Sequence, residues 1–152
     1  MSSFDTDTFL HTTVEGANET AYLPIPEDEY EALIDTIKAT HNADKGFTIL
    51  NVTWDILSDT LRQEFNRDKV TVRQSVFLDV DENGSLKFGP NANVDLGRLR
   101  DALGQNGPTP WSPNDLKGAG PAFIKVRHQA NPKDPDNPYS NVVSVAASPT
   151  AG

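Results

Sequence analysis

The sequence predicts a mainly β domain with a minor helical part, and three observations carry this prediction. Several stretches alternate apolar and polar residues with the period of two that half-buried strands require, most clearly Val70 to Val80. One stretch, Asn93 to Gly104, places leucines at helical spacing between a capping residue and a terminating glycine. At 152 residues without cysteine, the chain has the size of one domain with a single core and no disulfide framework.

The first predicted strand is ambiguous from its own residues. In residues 27–40, Tyr30, Leu33, Ile34 and Ile37 have helical spacing, but the same stretch also fits the alternation of a strand. Its position ahead of two further strands favours a strand, and we adopt that interpretation.

The second and third strands are more regular. Phe47 to Leu57 predicts a strand with a bulge around Asn51, and Val70 to Val80 predicts the third strand. Between them, Ser58 to Asp68 is a charged connection with room for one helical turn. After the third strand, Asn83-Gly84 predicts a tight turn followed by a short returning strand.

A hairpin is predicted near the end of the chain, within residues 116–145. Ile124 and Val126 fall on one side of its first strand, which identifies that side as the core side. The resulting order is strand, strand, strand, helix, strand, strand. This is the order of a five-stranded oligonucleotide-binding (OB) barrel with one helix between strands 3 and 4. The OB-like prediction depends on residues 27–40 being a strand.

Charge divides the chain unevenly. The net charge is −9, but residues 1–45 contain ten acids against two lysines, whereas residues 46–152 contain twelve acids against eleven basic residues. A nearly neutral remainder can keep a local basic groove although the total argues against a nucleic-acid partner. We therefore predict an acidic N-terminal arm at 1–22, a single OB-like domain at 23–147 and a flexible tail at 148–152.

An aromatic ring beside cations on the solvent side of two strands is the candidate binding site. Rings stack on nucleobases and cations hold phosphates, so this combination is typical of single-stranded nucleic-acid binding. The last two predicted strands are joined by a long polar loop whose side chains could clamp a bound strand. The candidate residues are Arg73 and Phe77 on the third strand, Phe123, Lys125 and Arg127 on the fourth, taken as a neighbouring strand, and Lys133 and Tyr139 in the loop. The alternatives are an ordinary solvated strand face, and Phe77 and Phe123 as core residues at bulges.

The two tryptophans have different expectations. Trp54 lies within an apolar strand and is predicted to be core. Trp111 lies in a loop rich in Pro and Gly, where it either plugs the end of the barrel or offers a stacking surface, and the sequence leaves both open.

Other classes of function are less well supported. His11, His41 and His128 are far apart in the sequence and no nucleophile motif accompanies them, so no enzyme is predicted, although two carboxylates could still meet in a cleft. Residues 79–84 begin like a calcium loop, but Pro90 stands where a bidentate Glu is required, so a solvated turn is expected and neither metal nor cofactor. The N-terminus shows no export signal and no stretch is apolar enough for a membrane span, which predicts a cytoplasmic protein without a membrane partner.

Several stretches resemble small phage-encoded proteins, some of which bind single-stranded DNA or act in replication and recombination. The stretches are Leu23–Tyr30, Asn93–Arg100 and Leu116–Gly118, the last followed by a basic hairpin that ends at Asn141–Val143. The resemblance covers most of residues 22–147. It implies an OB-like fold that binds single-stranded DNA in the host cytoplasm, and it allows a homo-oligomer. Phage proteins of this kind often end in an acidic tail that recruits partners, whereas residues 148–152 contain no acid. Recruitment of replication or recombination proteins would then fall to the acidic N-terminal region.

A second function is kept beside the first. A phage structural or host-interaction protein, such as a virion component or an inhibitor, would bind no nucleic acid, and the net charge of −9 is compatible with it. An arm at residues 1–22 that orders on a neighbouring subunit would give an oligomer that depends on those residues.

Overall fold

The computed structural model describes residues 4–18 and 23–148, and its architecture is mainly β. The five strands are β1 (Asp28–Asn42), β2 (Phe47–Ile56), β3 (Thr71–Leu78), β4 (Ala122–Gln129) and β5 (Tyr139–Ala147). The helices are α1 (Thr6–Leu10), α2 (Asp59–Glu64) and α3 (Val94–Ala102), with a 3₁₀ turn at Pro113–Leu116. The predicted strand at residues 27–40 is confirmed, and α3 lies between β3 and β4 as predicted.

The strand order is β1-β2-β3-β5-β4, and β4 pairs back onto β1. All of these pairings are antiparallel except that between β3 and β5, which is parallel and consists of the single pair Arg73–Asn141. β5 therefore lies between β3 and β4. The prediction that the third and fourth strands are neighbours is wrong, because a parallel contact between distant segments leaves no mark on local periodicity.

β1 is long because it serves two partners in succession. Residues Asp28–Ala32 pair with β4, and Ala32–Asn42 pair with β2. The pairing with β2 shifts between Ile34 and Thr36, so the irregularity lies in β1 and not around Asn51 as predicted. Beside it, Ile34 donates from its N–H to the carbonyl of Ala119 and accepts from the N–H of Gly118, both at 2.9 Å.

The core lies between the inward sides of the strands and is closed by α3. Trp54 is fully buried, as predicted, and its indole Nε1 donates to Oε1 of Gln74 at 2.9 Å. The other large, fully buried side chains are Ile34, Val52, Ile56, Val76, Leu99, Leu116, Ile124 and Val126. Alternation between these residues and exposed ones fixes which side chains of each strand face outward.

The connection from β3 to α3 is pinned by Asn93. This residue has a left-handed backbone (φ 51°) and makes no side-chain cap bond, contrary to its predicted capping role. Its side-chain oxygen accepts from the N–H of Asp79 at 2.7 Å, and its Nδ2 donates to the carbonyls of Asp79 and Lys87. The predicted returning strand amounts to one isolated bridge between Val80 and Leu86.

The two ends of the described chain differ. Every side chain from residue 4 to residue 18 is exposed. At the other end β5 continues to Ala147, and the buried Ser148 donates from its hydroxyl to Oε2 of Glu31 at 2.7 Å. The rest of the predicted tail, residues 149–152, and residues 1–3 and 19–22 of the predicted arm lie outside the described residues. Within the described ranges, no helix combines the length and apolar character that a membrane crossing needs.

Candidate nucleic-acid interface

The outward side of β1, β2 and β3 carries aromatic and basic side chains in adjacent cross-strand rows. We call this surface the strand face and define it by five residues, Lys38, Phe47, Asn51, Arg73 and Phe77. β2 and β3 alternate strictly, so the inward neighbours of their four residues form the core. Lys38 pairs with Asn51 and therefore shares the solvent side with them.

Two phenylalanines form the apolar part of the strand face. Phe77 is 61 % exposed, and its ring meets that of Phe47 edge-on with centroids 6.1 Å apart. Ile49, directly opposite Phe77 on β2, completes the apolar cluster. Phe77 is thus not a core residue at a bulge. An aromatic ring exposed to this extent offers a flat apolar surface that water solvates poorly and on which a planar ring can stack.

The cations of the strand face lie beside these rings. Arg73 is exposed on β3, four residues before Phe77 and on the same side of the sheet, and it lies opposite Thr53 of β2. Lys38 is exposed on β1 opposite Asn51, which in turn stands opposite Ser75 on β3. Neighbouring strands are spaced by about 4.8 Å, so the two cations lie within about 15 Å of one another, both on the side of the aromatic cluster nearer the start of β3.

The β1–β2 turn adds a further cation at the end of the strand face. Lys45 is exposed in this turn, and its N–H donates to Oδ1 of Asn42 at 3.0 Å. Gly46 follows with φ at 69°, a conformation that favours glycine. The turn thereby places a lysine two residues before Phe47.

The predicted residues of β4 form a separate surface with a different electrostatic setting. Phe123 is half-buried and lies opposite Glu31 of β1, and Lys125 lies opposite Glu29. Residues directly opposite in an antiparallel pair have Cβ atoms about 5 Å apart, so a carboxylate offsets the positive charge of Lys125. The sequence-based prediction placed β3 and β4 side by side as one binding face, whereas in the structure β5 lies between them.

Arg127 is the member of the β4 set nearest the strand face. It lies opposite Asn141 of β5, and Asn141 pairs with Arg73, so the two arginines occupy one row across three strands. The guanidinium of Arg127 donates from Nη1 to the carbonyl of Val126 at 3.2 Å. This contact holds the Arg127 side chain against its own strand.

The predicted loop residues occupy two positions. Lys133 is exposed within the β4–β5 loop, and its N–H donates to Oδ1 of Asn131 at 3.1 Å. Tyr139 is the first residue of β5 and is 50 % exposed at the margin of a cleft. Asn141 lies two residues after Tyr139 in β5, so the two side chains point to the same, outward side of the sheet. Asn141 pairs with Arg73, and Tyr139 therefore lies next to the row that contains Arg73.

Two other positions singled out in the sequence have structural roles. Trp111 is partly buried against the core, where its ring lies under the guanidinium of Arg100 at 4.1 Å and its Nε1 donates to Gln105. This resolves the open question for Trp111 in favour of packing. Asp81 accepts from the N–H groups of Asn83 and Ser85, which is the solvated turn predicted for this loop. In the described ranges no three His, Asp or Glu side chains converge as a metal site would require.

The sequence-based site missed Lys38, Phe47 and Asn51. A usable signal was present, because the buried positions of β2 repeat every second residue and leave Phe47 and Asn51 on the outer side. Lys38 lies beyond the irregularity in β1, which reverses the alternation counted from Tyr30. Its direction could not be predicted without that irregularity.

The comparison with protein-family models and the comparison with curated proteins give no role that could be transferred to this chain. No protein-family model matches the chain, and no curated protein matches it either. What the strand face binds must therefore be inferred from its own chemistry.

Proposed function

We propose that this protein is a small OB-like barrel that binds single-stranded DNA, acting in phage replication or recombination. The observation that carries the proposal is the strand face, where the exposed Phe77 and the partly buried Phe47 lie beside Lys38 and Arg73 on β1–β3. In OB barrels the face of strands 2 and 3 is the usual binding surface for oligonucleotides. The phage setting comes from the sequence resemblance alone.

The topology supports the barrel part of the proposal. Each strand has two partners, and pairing runs from β1 through β2, β3, β5 and β4 back to β1. The helix between β3 and β4 packs against β3 and β5. A short β1–β2 turn and a longer β4–β5 loop stand where OB barrels present their two ligand-binding loops.

The chemistry of the strand face favours single strands over duplexes. Stacking on Phe77 and Phe47 requires a nucleobase with an accessible face, which a paired and stacked duplex does not present. Every base has such a face, so we expect weak sequence preference. Each stacked base contributes about 1–3 kcal/mol, and each neutralised phosphate adds to the salt dependence of binding.

The experiment is fluorescence anisotropy of a labelled oligothymidine titrated with the protein at low and at moderate salt. We expect binding that weakens with salt, and Phe77→Ala should reduce the affinity roughly 5- to 100-fold because a stacking surface is lost. Absence of binding by the wild-type protein at low salt would refute the proposal. Phe77 is exposed, so its removal should leave folding intact.

A matched pair of double variants locates the interface. Lys38→Ala with Arg73→Ala removes the two cations of the strand face, and Lys125→Ala with Arg127→Ala removes two cations from β4. We expect the first pair to weaken binding and to lower the salt slope by about 1.4, and the second pair to have a smaller effect because Glu29 already offsets Lys125. The reverse ranking would move the interface to β4.

An interaction role without nucleic acid remains the second candidate, favoured by the apolar side chains of the N-terminal segment. Phe4, Phe9, Leu10 and Val14 are all exposed there, and the rings of Phe4 and Phe9 are 5.3 Å apart. Exposed apolar groups of this kind suit a protein partner or a second subunit. A defined oligomer in light scattering that dissociates on deletion of residues 1–22 would support this role, and a monomer unaffected by the deletion would count against it.

A further inference from the structure

β3 and β5 are joined at one position and then separate. Arg73 of β3 pairs with Asn141 of β5, and no further pair joins the two strands, both of which lie wholly within the described residues. Residues 75–78 of β3 and residues 143–147 of β5 therefore each have a neighbouring strand on one side only. The sheet is open here, and a groove lies between the two edges.

A bulge in β5 accounts for the separation. Val142 lies opposite Val126 of β4 and Ser144 lies opposite Lys125, so Val143 between them has no partner on β4. An extra residue of this kind bends its strand and increases the local twist. β5 is thereby turned away from β3 directly after the pair that joins them.

The groove has room for a short stretch of extended chain. Its volume is about 350 Å³, at the lower end of the range of about 300–1,000 Å³ found for small-ligand sites. The buried side chains of Val76, Leu99 and Ala102 form its apolar floor. The groove follows β5 along residues 142–147 but follows β3 only along residues 74–76. Most of it therefore runs along the edge of β5.

The open edge of β5 carries main-chain groups without partners. In a strand, about every second residue directs its N–H and C=O toward one side, so an unpaired edge presents a row of donors and acceptors. Within the described part of the chain, no backbone hydrogen bond links residues 143–147 to any element except β4. Such a row matches the backbone of another extended polypeptide, which binds by adding a strand to the sheet.

The charges at the groove favour a basic segment. The charged residues that line it are Asp95, Arg98 and Asp101, all exposed on α3. Nη1 of Arg98 lies 3.7 Å from Oδ1 of Asp95, whereas the carboxylate of Asp101 makes no hydrogen bond or ion pair with any described residue. Two acids against one base leave a net charge of −1, which attracts a lysine or arginine and repels the phosphates of nucleic acid.

We propose that this groove binds an extended, basic segment of a partner protein, which pairs with the open edge of β5. Alternate side chains of the segment lie over the apolar floor, and the modest volume restricts them to small apolar residues. A basic side chain of the segment pairs with Asp101. The inference goes beyond DNA binding and does not depend on it, because none of the five residues that define the strand face lines the groove.

The experiment measures the fluorescence anisotropy of a labelled synthetic peptide of alternating lysine and valine, titrated with the full-length protein at about 0.1 M salt. The peptide is about six residues long, which matches residues 142–147 of β5. One control peptide has the same side chains but carries methyl groups on all its backbone nitrogens. A second control peptide has glutamate in place of each lysine.

We expect the lysine–valine peptide to bind at least about tenfold more tightly than either control. Methylation removes the main-chain donors, and the loss of two hydrogen bonds of ordinary strength corresponds to roughly tenfold or more in affinity. Equal binding of the methylated peptide would overturn the proposal, because the attraction would then come from the net charge of −9 alone. Absence of binding by all three peptides would overturn it too.

Two pairs of variants test where the peptide binds. Ala146→Trp fills the groove and should abolish binding, whereas Ala130→Trp adds the same ring in the β4–β5 loop, away from the groove, and should not. Asp101→Asn should weaken binding about two- to fivefold, as expected for one exposed ion pair, and Asp136→Asn in the same loop should leave it unchanged. Thermal unfolding verifies that each variant is folded. Equal losses in the groove variants and their controls would place the peptide elsewhere and contradict the proposal.

Amide hydrogen exchange shows directly whether the peptide pairs with β5. In the free protein, the N–H groups of residues 143–147 that face the groove should exchange readily, and the lysine–valine peptide should protect them. Protection in the free protein that rises with concentration, together with a dimer in light scattering, would overturn the proposal and assign the edge to a second copy of the chain. Protection that is lost on deletion of residues 1–22 would overturn it in favour of the N-terminal region of the same chain.

Discussion

The indole of Trp54 depends on a single side-chain acceptor inside the sheet. Its ring is fully buried, and Gln74 supplies the oxygen that accepts from Nε1 at 2.9 Å. We expect Gln74→Ala to lower the free energy of unfolding by about 1–3 kcal/mol, because the buried N–H loses its partner. Urea denaturation followed by Trp fluorescence measures this change. Ser75→Ala, at the exposed neighbouring position, is the control and should be nearly neutral.

Gln74 also illustrates what the sequence allows at the scale of one residue. It interrupts an otherwise apolar series between Val72 and Val76, so its inward direction follows from alternation. Its partner Trp54 lies on another strand, and the register between β2 and β3 sets that contact. The direction of a side chain was therefore predictable, whereas its hydrogen-bond partner was not.

Tyr30 gives the fold a dependence on alkaline pH. Burial raises the pKa of Tyr30 above its ordinary 10.0, and the charges of Asp28 and Glu64 raise it further. The neutral phenol is therefore favoured by folding, and this contribution is fully present below pH 10 and is lost as the pH rises through the folded pKa. Tyr30→Phe should flatten the decline of the urea midpoint above about pH 10. Parallel curves for the two proteins would contradict this assignment.

At the scale of elements, the irregularity in β1 is stabilised by the segment that precedes β4. Gly120 has φ at 127°, and a Cβ at this position would lie 3.0 Å from the carbonyl oxygen of Ala32 and 3.0 Å from Cδ2 of Leu33. We expect Gly120→Ala to destabilise the protein by about 1–3 kcal/mol, because the backbone is strained and β1 must shift.

Gly97→Ala in α3 is the matched control for this prediction. Gly97 has an ordinary helical backbone with open space around its Cα, so alanine should raise stability by roughly 0.5–1 kcal/mol. Thermal and urea unfolding of both variants measure the contrast. If Gly120→Ala left the free energy of unfolding unchanged, the segment that precedes β4 would not be in tight contact with β1.

The order of elements was predictable because strands and helices leave local periodicity, and the mainly β class is confirmed on that basis. Pairing is a long-range property, so the sequence did not reveal that β5 separates β3 from β4. The 3₁₀ turn was missed although its signal was local. Ser112 and Asp115 form a capping box. The carboxylate of Asp115 accepts from the N–H of Ser112, and the hydroxyl of Ser112 accepts from the N–H of Asn114.

For the whole molecule, the distribution of charge should modulate binding at the strand face. Residues 4–18 contain Asp5, Asp7 and Glu15 but no lysine or arginine, and all of their side chains are exposed. A negative segment repels a polyanion over roughly a Debye length, about 10 Å at 0.1 M salt. Within the proposed function, the segment therefore opposes DNA binding at low salt.

Deletion of residues 1–18 should tighten binding of an oligothymidine about threefold at roughly 0.05 M salt, and the gain should disappear near 0.5 M. The control is Asp5→Asn with Asp7→Asn and Glu15→Gln, which removes the charge but keeps the length and the apolar side chains. Equal gains in the deletion and the neutralised variant would assign the effect to charge. A gain that persists at high salt, or that only the deletion shows, would instead indicate that Phe4 and its apolar neighbours obstruct the strand face by contact.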